Sequence, residues 1–407
     1  MFNKKASADA STPQPLNHEG LSFSGVLQYN VSMNKLQRIF KDHFDSIKTS
    51  GITIRDSVIE NVEKMIRCGD MKYGYILYGC EKCGRTKAVP FRCKSRFCPT
   101  CGNLYCRRRS TAMSCKLINC RHRHCVFTIP EELRHFFRKD RNLLNCLFHA
   151  VRDVILRMFH KLNKSENFTP GFICVLHTFG RDLKWNPHIH VLLSEGGSGN
   201  RTLWRHVKHF NYTLLRNSFR TALLNLMEKH IGSSFKKVKA YIYKHCPDGF
   251  YVHAKPSIAK SKDVIKYIGR YLGRPVIATS RIDNYDGQNV TFHYNRHEND
   301  LLVSETIDAV EFIKRLIVHI PDKHFKMIRY YGIYAKRHNN AAHFISAVPN
   351  QKRRFLSSLN NWRTSLLLDF GVDPLLCSCG HSMICLDICL NGTLLSDSLR
   401  KKRFDSS

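Results

Sequence analysis

The stretch FICVLHTFGRDLKWNPHIHVLL, residues 172–193, decides the fold. Apolar residues typical of β-strands occupy both of its ends, and the polar segment GRDLKWNP separates them. Two short strands joined by a polar turn form a β-hairpin. Because side chains alternate along a strand, His188 and His190 should share one face, while Ile189 and Val191 point into the core.

The two histidines are candidate metal ligands. Imidazoles about 7 Å apart on one strand face can hold a single divalent ion. His177 lies on the facing strand of the hairpin and could supply a third ligand from the same face. A His-x-His pattern on its own is just as compatible with a structural role, so a metal site here needs support from elsewhere in the chain.

Sequence patterns on both sides of the hairpin combine helices with strands. Apolar residues at helical spacing predict two helices between Lys35 and Arg67, divided by Gly51. HCVFTIPEEL (124–133) predicts a strand that ends at Pro130 and a helix after it, and residues 141–162 predict a further helix. We therefore expect an α+β fold.

The charge of the chain points to a polyanionic partner. Its 407 residues contain 65 Lys and Arg against 32 Asp and Glu, a net charge of +33. Such an excess destabilises a compact state by self-repulsion, and a nucleic acid would compensate it. A merely basic surface is the simpler alternative, and no long basic amphipathic helix indicates a membrane surface. No apolar run could cross a bilayer and no secretory signal begins the chain, so the sequence predicts a cytoplasmic protein.

Cysteines are concentrated in one part of the chain. Ten of the 17 lie between positions 68 and 125, which indicates metal binding rather than disulfides in a reducing compartment. Two Cys-x2-Cys pairs predict one structural zinc site with four thiolate ligands. Cys93 is a rival for one position, and the nearby basic residues could contact DNA phosphates. The predicted ligands are Cys80, Cys83, Cys98 and Cys101, and the predicted DNA contacts are Arg92, Lys94 and Arg96.

Two further clusters could also bind metal. His122, His124 and Cys125 adjoin an apolar strand, which favours buried or hydrogen-bonded histidines over ligands. Near the C-terminus, CSCGHSMIC (377–385) resembles a degenerate zinc knuckle whose first two cysteines are closer than a standard knuckle requires. The sequence leaves metal binding at this second segment open.

Tyr267 and Tyr271 lie in KYIGRYLGRP (266–275), a predicted helix on which residues four apart share a face. A Tyr-x3-Tyr pair is more often part of an aromatic core. Beside metal-binding histidines in a basic protein, however, a phenol can attack a phosphodiester when cations lower its pKa. The cations nearest in sequence are Lys266, Arg270 and Arg274.

Six segments together resemble the two-tyrosine HUH transposases of rolling-circle insertion sequences, the insertion sequence ninety-one family. The resemblance runs from about residue 35 to 385 and rests on HFDSI…MIRCGDMKYGYILYGCEKCG, PFRCKSRFCPTCG, VFTIPEELR, LHTFGRDLKWNPHIHVLL, KYIGRYLGRPVIATSRI and HFKMIRYYGIYAKRH. It implies an N-terminal zinc-binding domain followed by an HUH endonuclease domain with a central antiparallel sheet flanked by helices. His188 and His190 match the metal-binding pair of the family, and Tyr267 and Tyr271 match its nucleophiles.

The resemblance implies a DNA transposase that cleaves and rejoins single strands through 5′-phosphotyrosine links. Its cofactors would be structural Zn²⁺ and catalytic Mg²⁺ or Mn²⁺, and its partner would be single-stranded or hairpin DNA at element ends in the bacterial nucleoid. Arg181 is a candidate to stabilise the transition-state charge together with Arg270 and Arg274. A non-catalytic DNA-binding regulator and a replication initiator or relaxase are the alternatives, and the oligomeric state stays open.

The expected divisions are a lead-in (1–20), a zinc-binding DNA-recognition domain (21–125), a nuclease domain (126–300) and a C-terminal region without assigned role (301–407).

Overall fold

The computed structural model describes residues 26–28, 33–114, 117–118, 120–207, 210–254, 275–296, 299–335, 361, 363–364, 367, 371 and 373–396. The chain divides into two compact units. The small unit combines Met1–Val31, Asp70–Phe91 and Leu375–Ser407, and the large unit combines Ser32–Gly69 with Arg92–Pro374. Among the described helices, none has the length and apolar character that a membrane span requires.

The small unit contains a five-stranded sheet built from both ends of the chain. Its strands are β1 (Val26–Gln28), β2 (Tyr75–Gly79), β3 (Thr86–Pro90), β13 (Ile384–Leu390) and β14 (Thr393–Leu394). Their order across the sheet is β1-β3-β2-β13-β14. β13 pairs antiparallel with β2, with Ile384 opposite Gly79. The C-terminal segment therefore pairs with a strand that lies some three hundred residues earlier in the chain.

The large unit is organised around an antiparallel sheet with the order β12-β5-β6-β4-β8, and β7 pairs with β6. The strands are β4 (His122–Thr128), β5 (Thr169–Phe179), β6 (Trp185–Ser198), β7 (Arg205–His206), β8 (Val252–Ala254) and β12 (Ile328–Gly332). The hairpin predicted from residues 172–193 is confirmed as β5 and β6, and it occupies the middle of the sheet. The strand predicted before Pro130 is confirmed as β4.

The two faces of this sheet differ as the alternation predicts. Leu176, Ile189 and Val191 are buried in the main core, at no more than 1% exposure. Helices α4 (Glu131–Lys139), α5 (Leu144–Leu162), α6 (Tyr212–Ile231) and α7 (Lys236–His245) contribute their apolar residues to the same core. His177 lies directly opposite His188, and Val175 lies opposite His190. Opposite residues of an antiparallel pair share a face, so all three histidines lie on the face away from the main core.

The turn between β5 and β6 is fixed at several points. Leu183 is fully buried, with φ of 67°, and its carbonyl accepts a hydrogen bond of 2.9 Å from Nε2 of His319. Trp185 donates from its indole N–H to the carbonyl of Arg134, 3.0 Å away, and its ring stacks on His319. These contacts hold the strand ends that carry His177 and His188. His319 therefore has a structural role at this turn.

A second core in the large unit lies around the N-terminal helices. α1 (Lys35–Thr49) and α2 (Asp56–Ile66) pack with α8 (Ala309–Ile317) and with a three-stranded antiparallel sheet. That sheet consists of β9 (Ile282–Tyr285), β10 (Asn289–Asn295) and β11 (Leu302–Asp308). α3 (Pro99–Ser114) begins at this core, where Phe97 packs edge-on against Phe40 at 5.5 Å between ring centroids. The two helices predicted around Gly51 are confirmed as α1 and α2.

The α+β fold class is confirmed, whereas the expected divisions at residues 125 and 300 do not coincide with the units of the structure. β4 begins at His122 and already belongs to the central sheet. β12 forms the edge strand of that sheet beside β5, although it lies beyond residue 300. Sequence order alone suggested consecutive domains, but strand pairing joins segments that are far apart in the chain.

Candidate functional site: a histidine cluster and two cysteine clusters

Three histidines of the central sheet converge on one point. One ring nitrogen from each of His177, His188 and His190 lies within 4.8 Å of the others. The Nε2 atoms of His188 and His190 are 3.0 Å apart. Two nitrogen ligands about 2.1 Å from one ion and at a right angle to each other would also be about 3.0 Å apart. The arrangement therefore fits a single divalent ion with neighbouring coordination positions.

The Nδ1 atoms of His188 and His190 also have hydrogen-bonding partners. Nδ1–H of His188 donates to the carbonyl of Asn186 at 2.7 Å, which leaves its Nε2 lone pair directed to the cluster. Nδ1 of His190 lies 2.9 Å from Nε2 of His124, a residue of β4 that is 3% exposed. When His190 carries its proton on Nδ1, it donates to His124 and presents the Nε2 lone pair to the ion. Such outer contacts fix the tautomer and orientation of metal-binding histidines.

Burial keeps His190 in its neutral form. Removal from water lowers the pKa of His190 well below its usual range, and the neighbouring histidines His177, His188 and His124 lower it further. A neutral imidazole is the form that binds a metal ion. The site is therefore ready to accept a cation at neutral pH without first losing a proton from His190.

A cavity opens beside His177 in the large unit. Its walls include Phe179, Arg96, Pro275 and His319. Arg96 comes from the segment between two cysteines of the zinc-binding region, and its guanidinium lies over the ring of Tyr105 at 5.5 Å. Pro275 follows Tyr271 by four residues in the sequence. The cavity therefore brings one predicted DNA-contacting residue close to a predicted metal ligand.

The first cysteine cluster lies in the large unit. It consists of Cys68, which follows α2, and of Cys93, Cys98 and Cys101, which lie before or at the start of α3. The sulfurs of Cys68 and Cys101 are 3.6 Å apart, close to the separation of about 3.8 Å between thiolates of a tetrahedral zinc site. Gln37 donates to the carbonyls of Met65 and Cys68, both at 3.0 Å, which fixes the chain that carries the first ligand.

The second cysteine cluster lies in the small unit and consists of Cys80, Cys83, Cys377 and Cys379. The prediction of one site made by Cys80, Cys83, Cys98 and Cys101 is therefore wrong in its grouping. Each Cys-x2-Cys pair belongs to a different cluster, because the chain passes from one unit to the other after Phe91. Cys93 belongs to the first cluster together with Cys98 and Cys101, so it is not an alternative to one of them. The C-terminal Cys-x-Cys segment completes the second cluster with Cys377 and Cys379.

The predicted DNA-contacting residues have different surroundings. Arg92 and Lys94 are exposed, and Lys94 adopts φ of 55°. Arg181 donates to the carboxylate of Asp300 at 2.7 Å and to the carbonyl oxygens of Asn295 and Arg296, so its charge already has a partner. Some of the predicted site residues lie outside the described part of the chain, namely Lys266, Tyr267, Arg270, Tyr271 and Arg274.

Comparison with known proteins gives the family. The model described as "Putative transposase" matches residues 171–342, and the "Transposase zinc-binding domain" model matches residues 39–129. The transposase for insertion sequence element IS801 of Pseudomonas savastanoi pv. phaseolicola is 29% identical over 299 residues, 70% of this chain and 72% of the relative. The chain is similar to insertion-sequence transposases in both matched ranges. The resemblance found in the sequence is thereby confirmed.

A second relative, named "Putative transposase y4qJ", comes from Sinorhizobium fredii and is 27% identical over 289 residues, 67% of this chain and 73% of its own length. No solved structure matches the chain. The transposase has DNA as its partner and carries a zinc-binding domain. The histidine cluster falls within the first matched range, and Cys377 and Cys379 lie outside both matched ranges.

The contact between His124 and His190 leads to a prediction about metal affinity. His124→Phe keeps a ring but removes the nitrogen that meets Nδ1 of His190, so His190 loses its orientation. We expect the transposase to bind Mn²⁺ about 10- to 100-fold more weakly. The loss of the free Mn²⁺ signal in electron paramagnetic resonance, measured during a protein titration, gives the affinity without DNA.

His122→Phe is the matched control for this prediction. His122 lies two residues away on β4, is 2% exposed and contacts the hydroxyl of Tyr334 at 2.6 Å. Burial lowers the pKa of His122 to about 4. If both variants weakened Mn²⁺ binding equally, the effect would come from general disturbance of β4, and His124 would have no particular role in orienting His190.

Four functional residues were missed or undervalued in the sequence. Cys68 lies outside both Cys-x2-Cys pairs, and only the need for a fourth soft ligand in its cluster could have indicated it. Cys377 and Cys379 precede Gly380 just as Cys80 and Cys83 precede Gly84, and this shared pattern was the available signal. His124 was expected to be buried or hydrogen-bonded, which is confirmed, but its partner could not be identified from the sequence.

Proposed function

We propose that this transposase cleaves and rejoins single DNA strands at the ends of its element through 5′-phosphotyrosine intermediates. The observation that carries the proposal is the convergence of His177, His188 and His190 on one face of the central sheet. A phosphodiester is cut by metal-assisted attack only where ligands and nucleophile can reach the same phosphate. His177 and His188 are half-exposed on this sheet face, which offers such a place, whereas the helices of the main core cover the opposite face.

The three histidines would hold the catalytic ion and orient it towards DNA. The bound ion would polarise the scissile phosphate and offset the charge that develops during attack. Magnesium prefers oxygen ligands and nitrogen donors suit transition metals, so three imidazoles favour Mn²⁺ over Mg²⁺. No carboxylate joins the histidine cluster among the described residues. We therefore expect cleavage to be faster with Mn²⁺ than with Mg²⁺ at equal concentration.

Tyr267 and Tyr271 supply the nucleophiles in this proposal. The phenolic oxygen of one tyrosine forms a bond to phosphorus, and the bond from phosphorus to the 3′ oxygen breaks. The phenol loses its proton, and the departing 3′ oxygen gains one to become a hydroxyl. The phosphotyrosine conserves the energy of the broken ester, so the 3′ hydroxyl of another strand can reverse the step and join to it. The position of Pro275 in the cavity beside His177 supports this assignment, because it follows Tyr271 closely in sequence.

Basic residues near the first cysteine cluster would hold the DNA. Arg92 and Lys94 are exposed, and Arg96 reaches the cavity beside His177. Arginine and lysine side chains on a metal-fixed loop bind phosphates without reading sequence. We assign structural zinc to Cys68, Cys93, Cys98 and Cys101, which would fix this loop. Arg181 has Asp300 as its partner, so it would have to exchange that contact to reach a phosphate.

The experiment uses single strands that span the DNA flanking the gene, labelled at the 5′ or the 3′ end. The purified transposase is incubated with them and Mn²⁺, and a denaturation-resistant adduct is sought. We expect the protein to be joined to the fragment on the 3′ side of the cut through its 5′ phosphate. Mass spectrometry of digested adduct should find the nucleotide on Tyr267 or Tyr271. Tight binding without an adduct on either strand, in Mn²⁺ or Mg²⁺, would instead identify a non-catalytic regulator.

A further inference from the structure

Four cysteines from two distant segments of the small unit lie close together. One segment carries Cys80 and Cys83, and the other carries Cys377 and Cys379. The sulfur of Cys80 is 3.5 Å from that of Cys379, and the sulfur of Cys83 is 3.5 Å from that of Cys377. These distances are far longer than a disulfide bond of about 2.05 Å. They are close to the separation of about 3.8 Å between thiolates around a tetrahedral zinc ion. The four sulfurs therefore have the spacing of a complete ligand set.

Both cysteine segments form a backbone turn that ends at a glycine. Gly84 donates to the carbonyl of Cys80 and Gly380 to that of Cys377, each at 2.9 Å. The glycines have φ of 68° and 84°, values that other residues rarely adopt, and a Cβ at either one would meet nothing within 4 Å. Backbone conformation, rather than lack of space, thus requires glycine after each cysteine pair. The Cys-x-Cys segment forms a turn comparable to that of the Cys-x2-Cys segment despite its shorter spacing.

Strand pairing places the two turns side by side. β13 runs antiparallel to β2 with Ile384 opposite Gly79, so the residues just before β13 meet those just after β2. The side chain of Arg85 donates a hydrogen bond to the hydroxyl of Ser378, which connects the turns directly. The strand pairing and the hydrogen bond between the turns therefore both bring the four thiols together.

Among the described residues of the small unit, the buried cluster at this end of its sheet is small. This cluster consists of Cys80, Cys377 and Met383, with Tyr78 packed against it. A core of this size contributes little stability, and small units of this kind commonly depend on a structural metal. An ion held by four thiolates also joins residues 294 positions apart, which restricts the unfolded chain strongly.

We propose that Cys80, Cys83, Cys377 and Cys379 form a second structural zinc site, which makes the C-terminal segment an integral part of the zinc-binding region. Zinc would displace the four thiol protons, and no oxidant or reductant takes part. The site would carry two negative charges, with the basic Lys82 and Arg85 nearby in sequence. Neither matched family range reaches Cys377, so this ligand pair extends the zinc-binding region beyond the segment that the family model describes.

The first test measures tightly bound zinc per chain in full-length protein after dialysis against a mild chelator. We expect two zinc ions in the wild type, and one in the variant Cys377→Ser/Cys379→Ser. The matched control is Cys385→Ser, an exposed cysteine of β13 outside both clusters, which should keep two. A single zinc in the wild type, or two in the double variant, would overturn the proposal.

The second test needs no variant, so misfolding cannot affect it. Cys83, Cys379 and Cys385 are all exposed and would react with an alkylating reagent if free. In zinc-containing protein, we expect Cys83 and Cys379 to be labelled at least about tenfold more slowly than Cys385, because coordinated thiolates are less available. A strong chelator should remove the difference. Equal labelling of all three before chelation would refute the site. Both tests are made without DNA, so failure of the proposed cleavage reaction would not affect them.

Discussion

The double variant His188→Ala/His190→Ala should lose DNA cleavage by a factor of at least about 10³. The stabilisation of charge by a bound ion is worth several kcal/mol, and each 1.4 kcal/mol changes a rate about tenfold. Both Nε2 atoms point into the cluster at 3.0 Å from each other, so the variant removes two of three ligands at once. His177→Ala removes one ligand and should have a smaller effect that added Mn²⁺ partly reverses.

The measurement is the rate of adduct formation under single-turnover conditions at several Mn²⁺ concentrations. His206→Ala is the matched control, because His206 is an exposed histidine on the short strand β7 that pairs with the same β6. Its rate should stay within about twofold of wild type. DNA binding by the double variant, measured separately, should persist. Cleavage within tenfold of the wild-type rate would show that the histidines are structural and that the ion, if any, binds elsewhere.

Cys98→Ala should remove structural zinc and unfold the region around α1, α2 and the start of α3. Cys98 is fully buried, and Phe97 beside it packs on Phe40 in the same core. Structural zinc contributes about 10–16 kcal/mol in small zinc-binding peptides, as much as the whole stability of a typical domain at about 5–15 kcal/mol. The variant should therefore hold one zinc ion fewer and show a separate unfolding transition at low urea concentration.

Cys174→Ala is the control for the loss of a buried thiol. Cys174 lies on β5, is also fully buried and belongs to neither cysteine cluster. Its replacement should cost about 1–3 kcal/mol without changing the zinc content. Circular dichroism during urea unfolding, together with zinc analysis, distinguishes the two cases. Equal stability and equal zinc content in both variants would show that the first cluster does not hold zinc.

Much of the central sheet could be predicted because its information is local. Two apolar runs typical of β-strands in 172–193 predict two strands, and the alternation of side chains along a strand places His188 and His190 on the other face from Ile189 and Val191. His177 was inferred from the same hairpin, since only a short turn separates it from His188. The edge strand β12 could not be predicted in this way, because its pairing with β5 depends on chain segments about 150 residues apart.

The sequence by itself determined the α+β class, the hairpin with its histidine face, the concentration of cysteines and the resemblance to insertion-sequence transposases. Only the tertiary structure decided which cysteines belong together. A Cys-x2-Cys pair specifies a local turn with two ligands, but the other two can come from any segment that folds against it. Here Cys68 and Cys93 complete one cluster and Cys377 and Cys379 the other, because a thiolate site is defined by distances of a few ångströms in space and not by spacing along the chain.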